Sequence, residues 1–200
     1  MSIYKTGVFP ELLETDSLVL ERFCRDRVNV TELYDLFREA REDVADVFEY
    51  VPQEPYATVK EVHDQLTDAE AEWDDRESAQ YAVYADDELA GYTGLFPEWN
   101  RHTGRIGFIL GKPYWGNGYA GDCATAMTEL AFDRLGLETV AIGYEDGNKR
   151  SERAIEKFVE SAGGQYDGRL RNWTPIGDRI ADHHRYTVTR EEFRRARADE

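Results

Sequence analysis

The stretch Trp115–Asp122, WGNGYAGD, spaces Gly116, Gly118 and Gly121 as G-x-G-x-x-G between a strand-like run (RIGFIL, Arg105–Leu110) and a helical pattern. Glycines at such a junction let consecutive backbone N–H groups turn inward. The helix N-terminus adds partial positive charge, and together they make a pyrophosphate site. The apolar run TVAIGY follows and ends in Glu145 and Asp146, which on paper completes a dinucleotide-binding fingerprint. Three observations argue against a dinucleotide. The segment GKPYW separates Leu110 from Gly116, too long and bulky for the tight turn of that unit. The preceding strands are joined by short connections, which a doubly wound parallel sheet does not allow. Beyond Asp146 the chain supplies one helix and a β pair rather than further βαβ units. The phosphate chemistry survives, because a cradle of backbone amides needs no basic patch.

The elements that must hold this loop can be read from periodicity. SLVLERF (Ser17–Phe23) alternates as a strand. Val30, Leu33, Phe37 and Ala40 mark one face of a helix from about Asn29 to Arg41. After the Pro-broken EYVPQEPYAT, Val59, Val62, Leu66, Ala69 and Trp73 mark another. QYAVYA, a polar DDE turn and LAGYTGLF read as a hairpin, and PEWNRHTG leads on to RIGFIL, an antiparallel meander. The glycine loop opens a helix with Ala120, Ala124, Met127 and Ala131 on one face. Strand TVAIGY comes next, then a helix from about Ser151 with Ile155, Phe158 and Val159 inward. QYDGRL, a loop and DHHRYTVT precede an Arg/Glu-rich tail. The expected order is βαα-βββ-α-β-α-ββ, with no internal repeat.

Composition narrows the partners. Two hundred residues suit one domain with a core that needs no disulfide. Cys24 and Cys123 lie far apart in no metal-ligand spacing, so reduced packing residues are expected. No apolar run approaches the roughly 18 residues of a membrane span, and the N-terminus lacks a signal-peptide layout; a cytoplasmic protein is expected. Asp plus Glu number 41 against 24 Lys plus Arg, a net charge of −17. Such a surface repels nucleic acid. The acidity is spread along the chain, and Lys5, Lys60, Lys112, Lys149 and Lys157 are the only lysines. That pattern looks like adaptation to a cytoplasm of molar salt; an ordinary acidic protein is the alternative.

RIGFILGKPYWGNGYAGDCATAMTELAFDRLG followed by VAIGYEDGNKRSERAIEKF resembles a GNAT-fold N-acetyltransferase, in the branch that includes the ribosomal-protein N-terminal (alanine) acetyltransferases. The resemblance covers about residues 16–192, including ETDSLVLERF and GDRIADHHRYTV, with 1–15 as an N-terminal extension and 193–200 as a charged C-terminal tail. It implies an α/β (α+β) fold, a mixed and mostly antiparallel sheet of about seven strands flanked by about four helices. It also implies acetyl-CoA as co-substrate and no metal. The loop Gly116, Asn117, Gly118, Tyr119, Ala120 and Gly121 would bind the pyrophosphate through backbone amides. Phe108, Ile109 and Leu110 would pair with the pantetheine arm, one backbone N–H polarising the thioester carbonyl. Trp115 and the Tyr119 ring are expected to pack the loop. Asn148 and Ser151 stand at the entry to the next helix, either as caps or as pantetheine contacts.

The chain departs from the family pattern at several places. A Tyr that many members place seven residues after this Asn is here Ile155, so Ser151 becomes the candidate acid. Pro113 stands where Gln or Arg is usual, Arg105 stands where the branch often has Glu, and Val159-Glu160 replaces a Gly-Phe helix end. The base must therefore come from elsewhere. An α-amine, with a pKa of about 8, needs less help to lose its proton than Lys at about 10.4; the difference is about 3 kcal/mol. Glu98, in the loop before the motif strand, is the first candidate base and His183, suited to proton relay, the second. The alternatives are a solvated loop carboxylate at Glu98, and alternating surface and packing roles at His183 and His184. VFEYVPQEPY (Val47–Tyr56) and NWTPIGDR (Asn172–Arg179) would wall the acceptor pocket, with Tyr50, Tyr56 and Trp173 lining it or anchoring the loops. The acceptor implied is an amine-bearing small molecule or a protein N-terminus, with no nucleic acid and no membrane; a homodimer is left open. A non-catalytic acyl-CoA-binding or interaction module is the alternative function, since both Tyr and Glu are missing.

The charge count gives a first test. Forty-one carboxylates share 24 basic residues, and at 0.1 M salt the Debye length of about 10 Å lets neighbours repel; at 1 M it falls to about 3 Å. Total stability is only about 5–15 kcal/mol, so a few kcal/mol of such repulsion is enough to unfold a chain. Thermal unfolding from about 0.1 to about 3 M KCl should show a rising Tm, with folding requiring salt near or above about 1 M. A flat or falling Tm contradicts the high-salt reading.

Overall fold

A computed structural model describes residues 7–198. Among them eight strands and six α-helices run in the order β1 (Leu12–Glu14), β2 (Val19–Arg22), α1 (Val30–Phe37), α2 (Val44–Phe48), α3 (Val59–Asp75), β3 (Ala79–Ala85), β4 (Glu88–Glu98), β5 (Thr103–Leu110), α4 (Tyr119–Glu129), β6 (Thr139–Glu145), α5 (Lys149–Ser161), β7 (Gln165–Ile176), β8 (Arg179–Thr189) and α6 (Arg190–Ala198). They form one sheet ordered β1-β2-β3-β4-β5-β6-β8-β7, antiparallel throughout except between β5 and β6. The mixed, mostly antiparallel α/β architecture is as expected. The additional elements lie where the sequence carries little pattern: β1, α2 and α6.

Local chemistry sets the boundaries. Asn29 opens α1 by accepting from the N–H groups of Thr31 and Glu32, the preferred role of Asn at this position. Thr58 and Glu61 form a capping box on α3. Asp86 and Asp87 both take positive φ, 50° and 65°, the turn that a two-residue hairpin between β3 and β4 demands. The periodic face of α1 predicts a helix to about Arg41, but the backbone of Arg38 turns extended and bridges Tyr56. Tyr56 N–H donates to Phe37 O at 3.0 Å and Glu39 N–H to Tyr56 O at 3.0 Å, a long-range pairing that overrides helix propensity. Gly163, at φ 72°, turns the chain after α5.

The sheet is covered on both faces. Leu33, Phe37, Val62 and Leu66 from α1 and α3 pack with Ala82, Tyr92 and Ile109 on one face. Cys123, Met127, Ile155 and Phe158 from α4 and α5 pack with Tyr81, Val83, Ile106 and Ile142 on the other. The alternation of neighbouring strand residues between the two clusters follows the two-residue period of a strand. Of the expected extension 1–15 and tail 193–200, residues 1–6 and 199–200 lie outside the described residues; Leu12–Glu14 forms β1, and 193–198 end α6, where Phe193 is buried edge-on against Phe132 at 5.6 Å. Both cysteines are free and buried, and burial pushes the Cys123 thiol up to about 12, which fits a packing role. No described helix is long and apolar enough to cross a membrane.

One pairing matters for function. β5 and β6 run parallel, but their ladder covers only Thr103↔Thr139, Gly104↔Val140 and Arg105↔Ala141. Beyond these pairs the strands part, and the sheet opens between Ile106–Leu110 and Ile142–Glu145.

Candidate active site

The opening between β5 and β6 widens into a cleft of about 220 Å³. Its walls are β4, β5 and β6, the segment around Tyr50–Gln53, Gln65 of α3, and Asn148 and Ser151 at the start of α5. Which backbone groups face the gap follows from hydrogen bonds toward β4. Gly111 N–H donates to Ala90 O at 2.8 Å, and Gly107 O accepts from the Thr93 hydroxyl at 2.9 Å. Odd-numbered residues of β5 thus turn their amides to β4, while Phe108 and Leu110 turn theirs into the gap. A buried strand edge with unpaired groups wants a partner. An extended ligand carrying amides is suited to supply one. Ile109, assigned to the same stretch on sequence, is oriented to β4 and packs under α1–α3.

The glycine loop lies at the open end of that edge. Gly116 and Gly118 have φ of 84° and 89°, and a Cβ on Gly116, Gly118 or Gly121 would meet nothing within 4 Å. The left-handed backbone explains the first two glycines, and the empty space in front of all three is what a bound group needs. Gly121 and Asp122 N–H groups bond back to Gly118 O. Those of Gly116, Asn117, Gly118, Tyr119 and Ala120 have no protein partner among the described residues. Five free amides at the N-terminus of α4 make an anion cradle. Trp115 and Tyr119 pack against the core, Trp115 Nε1 donating to Leu110 O at 2.8 Å.

Cations take a minor part here. Lys112 is engaged by Asp46, whose carboxyl is held below the usual carboxylate range mainly by that hydrogen bond. The Arg150 guanidinium lies 3.8 Å from the centroid of the Trp115 ring, beside the loop. Sequence reasoning missed it, since Arg150 carries no motif signal of its own.

Asn148 takes the capping role that the sequence allowed, and both Asn148 and Ser151 line the cleft. Asn148 Oδ1 accepts from Ser151 N–H at 3.1 Å and caps α5. The Ser151 hydroxyl takes no part in that cap and lines the cleft with Asn148, Gly143 and Glu145. His183 and His184 point to opposite faces of β8. His183 Nδ1 lies 3.2 Å from Glu145 Oε1 at the cleft edge, whereas His184 stacks on Tyr144 at 4.9 Å and contacts Asp146.

Other expected residues lie elsewhere. Glu98 pairs with Thr103 at the closed end of the β5–β6 ladder, bound to Arg101 at 2.7 Å and Arg105 at 3.1 Å. Phe108 is five residues farther along the strand, about 17 Å at ~3.4 Å per residue. Glu98 is thus neutralised and remote, which removes it as the base. Thr174–Ile176 pairs with Arg179–Ala181 on both sides of a turn at Gly177 (φ 52°), Asn172 (φ 50°) and Trp173 fall in the irregular stretch before it, and Trp173 is 58 % exposed and not among the residues lining the cleft. Tyr56 is buried and donates to Gln65, anchoring its segment. Tyr50 does line the cleft, with Arg179 at 5.4 Å from its ring. Hydrogen bonding to Glu49, then burial, raises its phenol, and burial raises Tyr92 to about 12; both stay protonated. Glu145, Gly143 and the amides Gln53, Gln65 and Gln80 were not legible as site residues. Among the described residues no group of three or more His, Cys, Asp or Glu could hold a metal ion.

Comparisons agree with this geometry. The YkkB protein of Bacillus subtilis is 31% identical over 110 residues, 50% of this chain and 62% of its own length, so the match spans less than two thirds of that relative. Among solved structures, RimL, described as a ribosomal L7/L12 alpha-N-protein acetyltransferase, has TM-score 0.75 at 14% identity, covering 94% of this chain and 99% of that one. The microcin C7 self-immunity acetyltransferase MccE, solved with acetyl-CoA and AMP, has TM-score 0.78 at 14% identity, covering 92% and 99%. Residues 18–158 match the family model described as the acetyltransferase (GNAT) domain, and with an interrupted parallel pair, a free strand edge and an amide cradle in place, the chain belongs to that family.

Proposed function

We propose that this protein is an acetyl-CoA-dependent N-acetyltransferase that acts on a primary amine by direct attack in a ternary complex. The observation that carries the reading is two sets of unpaired backbone donors around one gap, Phe108 and Leu110 on the free edge of β5 and Gly116–Ala120 at the start of α4. It matches the chemistry of a long ligand with an amide-bearing arm and a pyrophosphate. Acetyl-CoA supplies the activated acyl group as a thioester. MccE holds that ligand on a similar fold, which supports the assignment.

The chain's own residues do the rest. The loop amides hold the pyrophosphate, and the Phe108 and Leu110 edge aligns the arm so that a backbone N–H polarises the thioester carbonyl. Ser151, with a free hydroxyl on the cleft wall, protonates the departing sulfur. His183 is the base, because Glu98 is spent on two arginines and His183 lies at the cleft edge. An α-amine acceptor such as a protein N-terminus suits a weak base; RimL, on a similar fold, is described as acting on one. A net charge of −17 fits a cytoplasm of high salt.

Two measurements test the reading. Gly118→Val forces a β-branched residue to φ 89°, and should weaken acetyl-CoA binding at least about tenfold in titration calorimetry, about 1.4 kcal/mol. Lys112→Ala, which removes a cation already engaged by Asp46, should do much less; equal losses contradict an amide cradle. Ser151→Ala should lower kcat by about 10²-fold, the range of a proton donor, and change KM for acetyl-CoA less. Because the cap of α5 uses Asn148 Oδ1 and the Ser151 N–H, Tm should stay unchanged. An unchanged kcat, or binding of acetyl-CoA without thiol release across a broad amine panel, points to a binding module instead.

A further inference from the structure

A chain with 41 acidic residues places one charged side chain among those lining its cleft, and it is Glu145. The carboxylate is 13 % exposed, and its Oε1 accepts from both the Thr174 hydroxyl and His183 Nδ1. Oε2 has no protein partner among the described residues. The His183 imidazole lies across Gly143, where a Cβ would collide with Nε2, Cε1 and the His184 carbonyl. Continuing the register from Arg105↔Ala141 sets Gly143 opposite Gly107, where β5 and β6 have already parted. A missing side chain on β6 thus makes room for a ring from β8, which lies against Gly143 and Glu145, two residues that line the cleft.

The remaining polar lining, including Gln53, Gln65 and Gln80 and the phenols Tyr50 and Tyr92, is neutral. A primary amine near neutral pH is largely an ammonium ion, and an ion entering a partly dry cleft needs a counter-charge. The nearby cations are engaged elsewhere. Arg185, two residues along the same face of β8, lies 3.6 Å from Asp167, and Arg179 donates to Glu49 O at 2.7 Å.

We propose that Glu145 is the ammonium subsite for the acceptor, and that it fixes His183 with Nδ1 protonated and Nε2 free to take the acceptor's proton. The inference rests on the N-acetyltransferase reading above. The ammonium donates to Glu145 Oε2. One of its N–H bonds breaks as an Nε2–H bond forms on His183, and the electron pair left on nitrogen bonds to the thioester carbonyl carbon. The C–S bond then breaks, Ser151 gives its hydroxyl proton to sulfur and regains one from the nitrogen, and His183 returns its proton to solvent. Glu145 binds the amine and orients the ring; His183 moves the proton.

The experiment is steady-state thiol release with acetyl-CoA and alanine amide, a Ser-initiated tripeptide amide and phenethylamine, in salt that keeps the protein folded. The Glu145→Gln variant preserves shape, and an acetyl-CoA affinity within about twofold of wild type reports an intact fold. The KM for the amine should rise at least about tenfold at about pH 7, and the gap should narrow near pH 9.5, where more amine is neutral in solution. Glu145→Asp should recover part of the loss, and gives the same readout if Glu145→Gln does not fold. His183→Gln should lower kcat with a smaller change in the amine KM. An amine KM unchanged in Glu145→Gln, or a gap that stays constant with pH as a structural role would give, overturns the inference and leaves the acetyltransferase reading standing. Acetyl-CoA binding by the wild type with no amine acetylated overturns both.

Discussion

The site depends on two parallel strands that stop pairing. β5 and β6 are joined by three residue pairs and then separate, so the backbone of β5 presents donors and acceptors to a gap in the middle of a sheet that is otherwise continuous. Interior strand edges are costly unless something pairs with them. Here the cost is offset by what the gap admits. Everything else in the site is placed relative to it: the glycine loop at its open end, Ser151 and Glu145 in its lining, and His183 against Glu145 and Gly143. Closing the ladder by two more residue pairs would leave the same side chains with nothing to act on.

The second constraint is charge. With a net charge of −17, the protein has no electrostatic means of attracting a polyphosphate from a distance, and Lys112, the basic residue nearest the loop in sequence, is bound to Asp46. Free amides at the start of α4 provide a local positive potential that the global charge does not cancel, because the dipole acts within about a turn of the helix end. The same acidity makes the near-neutral cleft informative. Carboxylates crowd the surface, yet among the described residues Glu145 alone of them lines the cleft, which is the ground for assigning it the ammonium.

Much of the frame was legible because its signals are local. The 3.6-residue period exposed α3 and α5, DDE marked the β3–β4 turn, and the glycines of WGNGYAGD marked a loop in which Gly116 and Gly118 take positive φ that favours glycine. What stayed hidden depends on register between distant segments. Glu145 meets His183 only because β6 pairs antiparallel with β8, and Gly143 reads as an ordinary strand residue until a ring from another strand occupies its missing side chain. The end of α1 is set by Tyr56, and the strand pairing on either side of Gly177, with Pro175 opposite Ile180, follows from the β7–β8 register rather than from local turn propensity. Glu98 failed for a different reason: proximity in sequence to the motif strand placed it at the ladder's closed end.

Amide hydrogen exchange resolved to single residues, with and without acetyl-CoA, tests the central claim most directly. The parted-strand account predicts that the ligand slows exchange at Phe108 and Leu110 and at the loop amides Gly116–Ala120, with little change at Ile109, whose N–H faces β4. Exchange at Phe108 and Leu110 that does not respond to bound acetyl-CoA would contradict it, because the ligand would then not run along the opened edge of β5.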